Sequence, residues 1–138
     1  MSSRSDAAVH MNDHLIGLIG IKMYQVKVRE VDVEWTPLEI PGVRMKVLHK
    51  EITSGAMTVM THMDAGAVIP AHWHSKADEM VYVLEGDFVE DGVSYERGSY
   101  FQGKAQTTHG PHTSVHGCTV LTHFSAELDF QTGPVFAS

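Results

Sequence analysis

From Tyr24 onward the chain is built of short runs in which apolar positions recur at every second residue: "YQVKV", "MKVLHKEI", "AMTVMTHM", "EMVYVLEG", "SYFQG" and "CTVLTHF". Successive side chains of a strand point to opposite faces, so this alternation sets one face on a core, and β-branched and aromatic residues suit the extended backbone. Turn-forming segments separate the runs: "TPLEIPG", "TSG", "DAG", "EDG", "RGS" and "GPHTS". Glycine, proline and short polar residues supply the dihedrals that reverse a chain. No window after Tyr24 holds a capped helical period. The pattern predicts an all-β sandwich or barrel with little helix. Residues 1–22 read differently, as a small, polar N-terminal arm with a short apolar end, leaving residues 23–138 as one β-barrel domain.

Composition narrows the function classes. A net charge of −7 opposes binding to nucleic acid, which calls for clustered lysine and arginine. No apolar run approaches the ~18 residues of a membrane span. "HLIGLIGI" lacks the basic flank and cleavage site of a signal peptide, so a cytoplasmic protein is expected. Cys118 is the single cysteine, which excludes an internal disulfide framework and fits a reducing compartment. Within "GCTVLTHF" it reads as a buried core thiol. Histidine is the outlier: ten residues, as many as lysine and arginine together.

The histidines become informative in "GAVIPAHWHSKADEMVYVLEG". On a strand His72 and His74 project to one face while Trp73 points to the other. A polar break, "SKAD", then leads to Glu79 at the head of an apolar strand. An antiparallel return would set its carboxylate beside the two imidazoles. Such a donor set suits Fe, Mn, Co, Ni, Cu or Zn and not Ca or Mg. A third nitrogen can come from "GSYFQGKAQTTHGPH", where His109, His112 and nearby His116 compete.

Gly66, His72, His74, Glu79 and Gly86 fit the first motif of the cupins at every fixed position, and Gly98 and His109 have the separation of the second. From about Glu34 to Phe130 the chain resembles a small single-domain cupin. The resemblance implies an all-β jelly-roll barrel with a metal held by His72, His74, Glu79 and His109. It also implies a homodimer, in which strand-forming residues between Leu15 and Val28 would pair with a second subunit. One feature departs from the family: Lys104-Ala105-Gln106 stands where a Pro-x-Gly turn usually precedes the third histidine. His112 is expected as a base or substrate contact, His116 as a loop residue, His62 and His123 as satisfied strand residues. His10, His14 and His49 read as arm or surface histidines. Tyr100 and Gln102, with Tyr82 and Gln106, are the candidate polar contacts of the cavity. Met45, Met57, Met60, Met63 and Met80 fill the core or line an apolar pocket. Asp78, Glu85, Asp87, Glu90 and Asp91 read as loop or solvent-face charges.

The region from "HWHSKADE" to "THGPH" and "HFSAELDF" is similar to acetylacetone-type dioxygenases, which cleave a carbon–carbon bond of a β-diketone with three histidines and iron. In that group the glutamate need not bind metal. The resemblance therefore implies a non-haem Fe(II) dioxygenase acting on a small β-dicarbonyl or enolisable ketone. Zn, Mn and Ni are the other candidate metals. Only Lys76, Arg97 and Lys104 lie near the motifs, which suits a neutral or singly anionic substrate. "DGVSYERGSYFQ" and "HGPHTSVHGC" are also similar to the zinc-binding cupin domain of certain anti-sigma factors, a small-molecule sensor without catalysis. A non-redox isomerase, lyase or cyclase is the remaining alternative.

Overall fold

In the computed structural model, which describes residues 23–135, the alternating runs form β1 (Thr36–Pro37), β2 (Val43–Lys50), β3 (Met57–Met63), β4 (Val68–Ile69), β5 (Glu79–Glu90), β6 (Val93–Glu96), β7 (Tyr100–Gly103), β8 (His112–Thr113) and β9 (Cys118–Phe124). Among the described residues helix is limited to a single 3-10 turn, Glu30–Asp32. None is long and apolar enough to cross a membrane. The all-β, jelly-roll expectation holds.

Strands β1, β2, β3, β9 and β5 are hydrogen-bonded in that order, each pair antiparallel. β5 is the strand both sheets share. Its first half lies between β9 and β7, and its second half between β8 and β6. β4 completes the second sheet against β8. β5 changes direction where its register slips between Val83 and Glu85, next to Gly86 at φ +80°. A side chain at Gly86 would start 2.0 Å from the carbonyl oxygen of Gly117, so only glycine lets β9 approach there.

The alternation resolves into two faces. Val59, Thr61 and Met63 of β3 and Val120, Thr122 and Phe124 of β9 point inward and are buried. Cys118 is buried with them, as its sequence context predicts, and that burial raises its thiol pKa. On the outer face the Lys46 amine is buried under the chain leading into β1. Glu30 accepts its hydrogen bond at 2.8 Å, and the Trp35 ring lies 4.7 Å from it. A buried ammonium needs this kind of pairing.

Two expectations about the N-terminal region change. "YQVKV" is not a strand: Tyr24–Val28 pair with no strand among the described residues, and these side chains are exposed. The run alternates, but one alternating run without a neighbour to complete its backbone hydrogen bonds does not make a sheet. The expected arm, residues 1–22, lies outside the described residues, as does most of the segment expected to pair with a second subunit.

Candidate metal centre

The His-x-His segment is held straight by two short antiparallel bridges. His72 and His109 exchange both backbone N–H···O bonds at 2.9 Å, and Trp73 and Gln131 do the same at 2.9 Å. The imidazoles of His72 and His74 are thus fixed from behind by two separate parts of the chain. His72 Nδ1 lies 2.7 Å from the Pro70 carbonyl and His74 Nδ1 lies 2.6 Å from that of Asp129. A carbonyl only accepts, so each Nδ1 carries the proton and each Nε2 presents its lone pair. Nε2 of His109 stands 3.0 Å from that of His72, and one ligand nitrogen from each of the three histidines falls within 4.8 Å of the others. The Glu79 carboxylate borders this cluster, 3.0 Å from His109 Nε2 and 3.4 Å from His74 Nε2.

One atom tests whether a cation fits. His74 Nε2 is buried and accepts no hydrogen bond from the described residues. An orphaned buried lone pair costs free energy unless something occupies it. Neutral imidazole nitrogens with one carboxylate are the donor set of a divalent transition metal, so the residues fit. Two of the three imidazoles are held in the neutral form by burial, and the third is drawn toward its charged form by the Glu79 carboxylate, a proton that a cation would displace. Burial lowers His72 to about 4 and also lowers His109, so both are neutral near pH 7. For His74 the effect of burial is outweighed by the Glu79 carboxylate and the Asp129 carbonyl, and its pKa rises. At Glu79 burial is outweighed by the imidazoles, and the carboxylate stays ionised.

The cluster opens on a cavity of about 500 Å³ inside the barrel, bordered by His72, His74, Glu79 and His112. His112 donates its Nδ1 hydrogen to Glu90, which leaves Nε2 as its unengaged ring nitrogen. The same carboxylate accepts the backbone N–H of Gly110 at 3.1 Å. The His112 ring stacks on His109 at 5.5 Å, and Phe130 stacks on His72 at 4.2 Å.

The ChrR cupin-like domain family matches residues 24–127. The chain belongs to this cupin family. The cupin is similar in structure to KdgF from Halomonas sp., at 25% identity and a TM-score of 0.64, covering 78% of this chain and 97% of that one. A putative acetylacetone dioxygenase from Methylibium petroleiphilum shares the fold at 20% identity and a TM-score of 0.68, with 81% and 84% covered. So does the anti-sigma factor ChrR of Rhodobacter sphaeroides, solved with SigE, at 24% identity and a TM-score of 0.57. The match covers 69% of the cupin and 50% of ChrR. No curated protein matches the sequence.

The cupin brings His72, His74, Glu79, His109 and His112 together and leaves two expected residues out. Tyr100 and Gln102 are exposed on the outer face of β7 and border no part of the cavity. The alternation of β7 sends Phe101 and Gly103 inward instead. A Cβ on Gly103 would lie 3.6 Å from both Glu79 and His109, so the residue against the site is the glycine. Tyr82 is exposed beside Tyr100. The Lys104-Ala105-Gln106 turn still closes correctly. Gln106 takes a left-handed φ of +64°, and its N–H donates to the His74 carbonyl at 2.8 Å. His62 and His123 bond Thr119 and Thr58, each at 2.9 Å, on the outer sheet face. His116 is 85% exposed beside Asp87. Met45 and Met63 line the cavity, whereas Met80 is exposed.

Sequence reasoning missed three residues. Glu90 read as a solvent-face charge, although the alternation that buries Phe88 puts Glu90 on the same face. Asp87 read the same way, and its carboxylate instead accepts the N–H groups of Val115 and His116 at 2.7 and 2.8 Å. Phe130 carries no local signal, because it reaches His72 only through the Trp73–Gln131 bridge.

Proposed function

We propose that this cupin is a metal-dependent enzyme whose His72, His74, His109 and Glu79 hold one divalent transition metal, Fe(II) in the working form. Its reaction is the oxidative cleavage of an enolisable dicarbonyl. The observation that carries the reading is the buried, unpartnered Nε2 of His74 among three imidazole nitrogens and a carboxylate. When bound, the metal supplies a Lewis acid and, as Fe(II), redox chemistry with O₂. The chain's own residues do the rest. The Pro70 and Asp129 carbonyls hold two imidazoles in the ligating tautomer. The barrel walls surround the reacting carbons with apolar side chains. His112, oriented by Glu90, has Nε2 available to take the acidic proton between the two carbonyls.

The same His112–Glu90 pair favours one second reading, a non-redox isomerase, lyase or cyclase in which proton movement is the whole reaction. The protein reconstituted separately with Fe(II) and Zn(II) distinguishes the two. Oxygen uptake with acetylacetone by the iron form alone supports the dioxygenase. Equal substrate conversion by both forms without O₂ consumption replaces it with the second reading.

A further inference from the structure

We propose that the natural substrate carries a large, flat, uncharged and apolar body of about two rings beside its reacting carbonyls. This deepens the reading above and rests on the histidine cluster being the reacting end. The cavity measures about 500 Å³. An apolar cavity of ~150 Å³ takes one benzene, so this one has room for roughly three groups of that size, one of them the reacting dicarbonyl and two of them rings. A small diketone would fill only a fraction of it and leave the remainder as water against hydrocarbon.

The walls decide what the extra volume is for. Val43, Met63, Val81 and Val120 line it from one buried cluster, and Phe124 and Leu128 from the other, so the cavity runs between the two halves of the core. No lysine or arginine among the described residues lines it, and its only carboxylates are Glu39 and Glu79. An anionic body would be desolvated there without a counter-charge and would face two acids. Beyond the cluster and these acids, only Thr61 and Thr122 offer polar atoms. The apolar lining continues to the surface. Leu38 and Phe130 border the cavity and are 36% and 46% exposed. Phe130 lies near-parallel to His72, at 20°, so a partly exposed flat ring borders the cavity beside the histidine cluster. Flat apolar surface recognises flat apolar ligands.

The test measures binding on the Zn(II)-loaded protein, by calorimetry, for acetylacetone, benzoylacetone, dibenzoylmethane and a ring-carboxylated dibenzoylmethane. Each added phenyl should tighten binding by roughly tenfold or more, as its buried apolar area requires. The carboxylate should reverse at least one such step. Val120→Phe, which grows a ring into the cavity, should keep acetylacetone and lose tenfold or more for dibenzoylmethane. If that variant does not fold, biphenyl binding to the metal-free wild-type protein serves instead and should raise its melting temperature. Equal affinity along the series, tighter binding of the carboxylate, or no effect of biphenyl overturns the proposal. Tight binding of dibenzoylmethane without O₂ uptake by the iron form sinks the dioxygenase reading and leaves this one standing. Oxygen uptake confined to acetylacetone, with no gain from added rings, does the reverse.

Discussion

Gly66 and Gly86 both adopt left-handed φ, +83° and +80°, yet their surroundings differ, and an alanine at each separates backbone strain from steric conflict. A Cβ on Gly66 meets nothing within 4 Å. Gly66→Ala should therefore cost only the left-handed penalty, about 1–2 kcal/mol. A Cβ on Gly86 falls 2.0 Å from the Gly117 carbonyl oxygen and 2.7 Å from Cys118 Cα. Both are backbone atoms where the chain enters β9, so neither can swing away as a side chain would. Relieving the conflict means moving β9 off β5 by about an ångström, which adds the ~1–3 kcal/mol typical of forced overpacking. Gly86→Ala should thus lose about 2–5 kcal/mol of a total near 5–15 kcal/mol. Urea unfolding followed by circular dichroism reads both. At a slope of ~1–3 kcal/mol per molar, Gly86→Ala should lower the midpoint by about 1 M or more, clearly beyond Gly66→Ala. Equal losses, or a larger loss at Gly66, would refute the steric reasoning.

In the metal site, His72→Ala, His74→Ala and His109→Ala should each lose most bound metal by elemental analysis, and Glu79→Gln should weaken affinity by at least ~10-fold. His116→Ala should retain full occupancy, its side chain being 85% exposed and remote from the cluster. Acid should destabilise the metal-free protein. His72 is neutral when folded down to about pH 4, whereas the unfolded chain takes up that proton near 6.5. Stability therefore falls as pH drops through this window, by about 3 kcal/mol at its foot, and a His72→Gln variant should show a flatter pH–stability curve. Glu90→Gln should keep its metal but lower kcat by ~10-fold or more, a part of the ~10²–10⁴ that a positioned base contributes. Unchanged kcat would remove His112 from the chemistry.

What the sequence reveals depends on whether the cause is local. Alternation within a strand is a local matter of where successive side chains point, and it locates β3, β5 and β9 and the pairing of His72 with His74. It also holds the answer at β7 and at Glu90. Counting alternate residues from Phe101 places Tyr100 and Gln102 outside, and counting from Phe88 places Glu90 inside. At both places the parity of the strand, and not the polarity of the residue, decides which way the side chain points. The place of His109 beside His72 and His74 was legible because its separation from Gly98 is that of the second cupin motif. Phe130 and the Asp129 carbonyl were not legible. They reach the site through a bridge between residues 73 and 131, a long-range pairing with no periodic trace. "YQVKV" marks the converse limit, since strand propensity without a partner is only an extended chain.

The curvature of β5 makes the site a record of how the chain closed. Glu79 and Glu90 are the two ends of one strand, and a straight run of that length would hold them about 36 Å apart. Yet one borders His109 and the other bonds Gly110, the next residue along the chain. Both contacts require the bend beside Gly86 and the return of the 109–112 loop. Almost every contact of the centre joins segments distant in sequence, whose loop-closure entropy must be spent before the contact rewards it. No half-folded barrel can present this donor set, so tight metal uptake reports completed closure and nothing earlier. A cation that binds there draws on the whole fold and steadies both sheets at once.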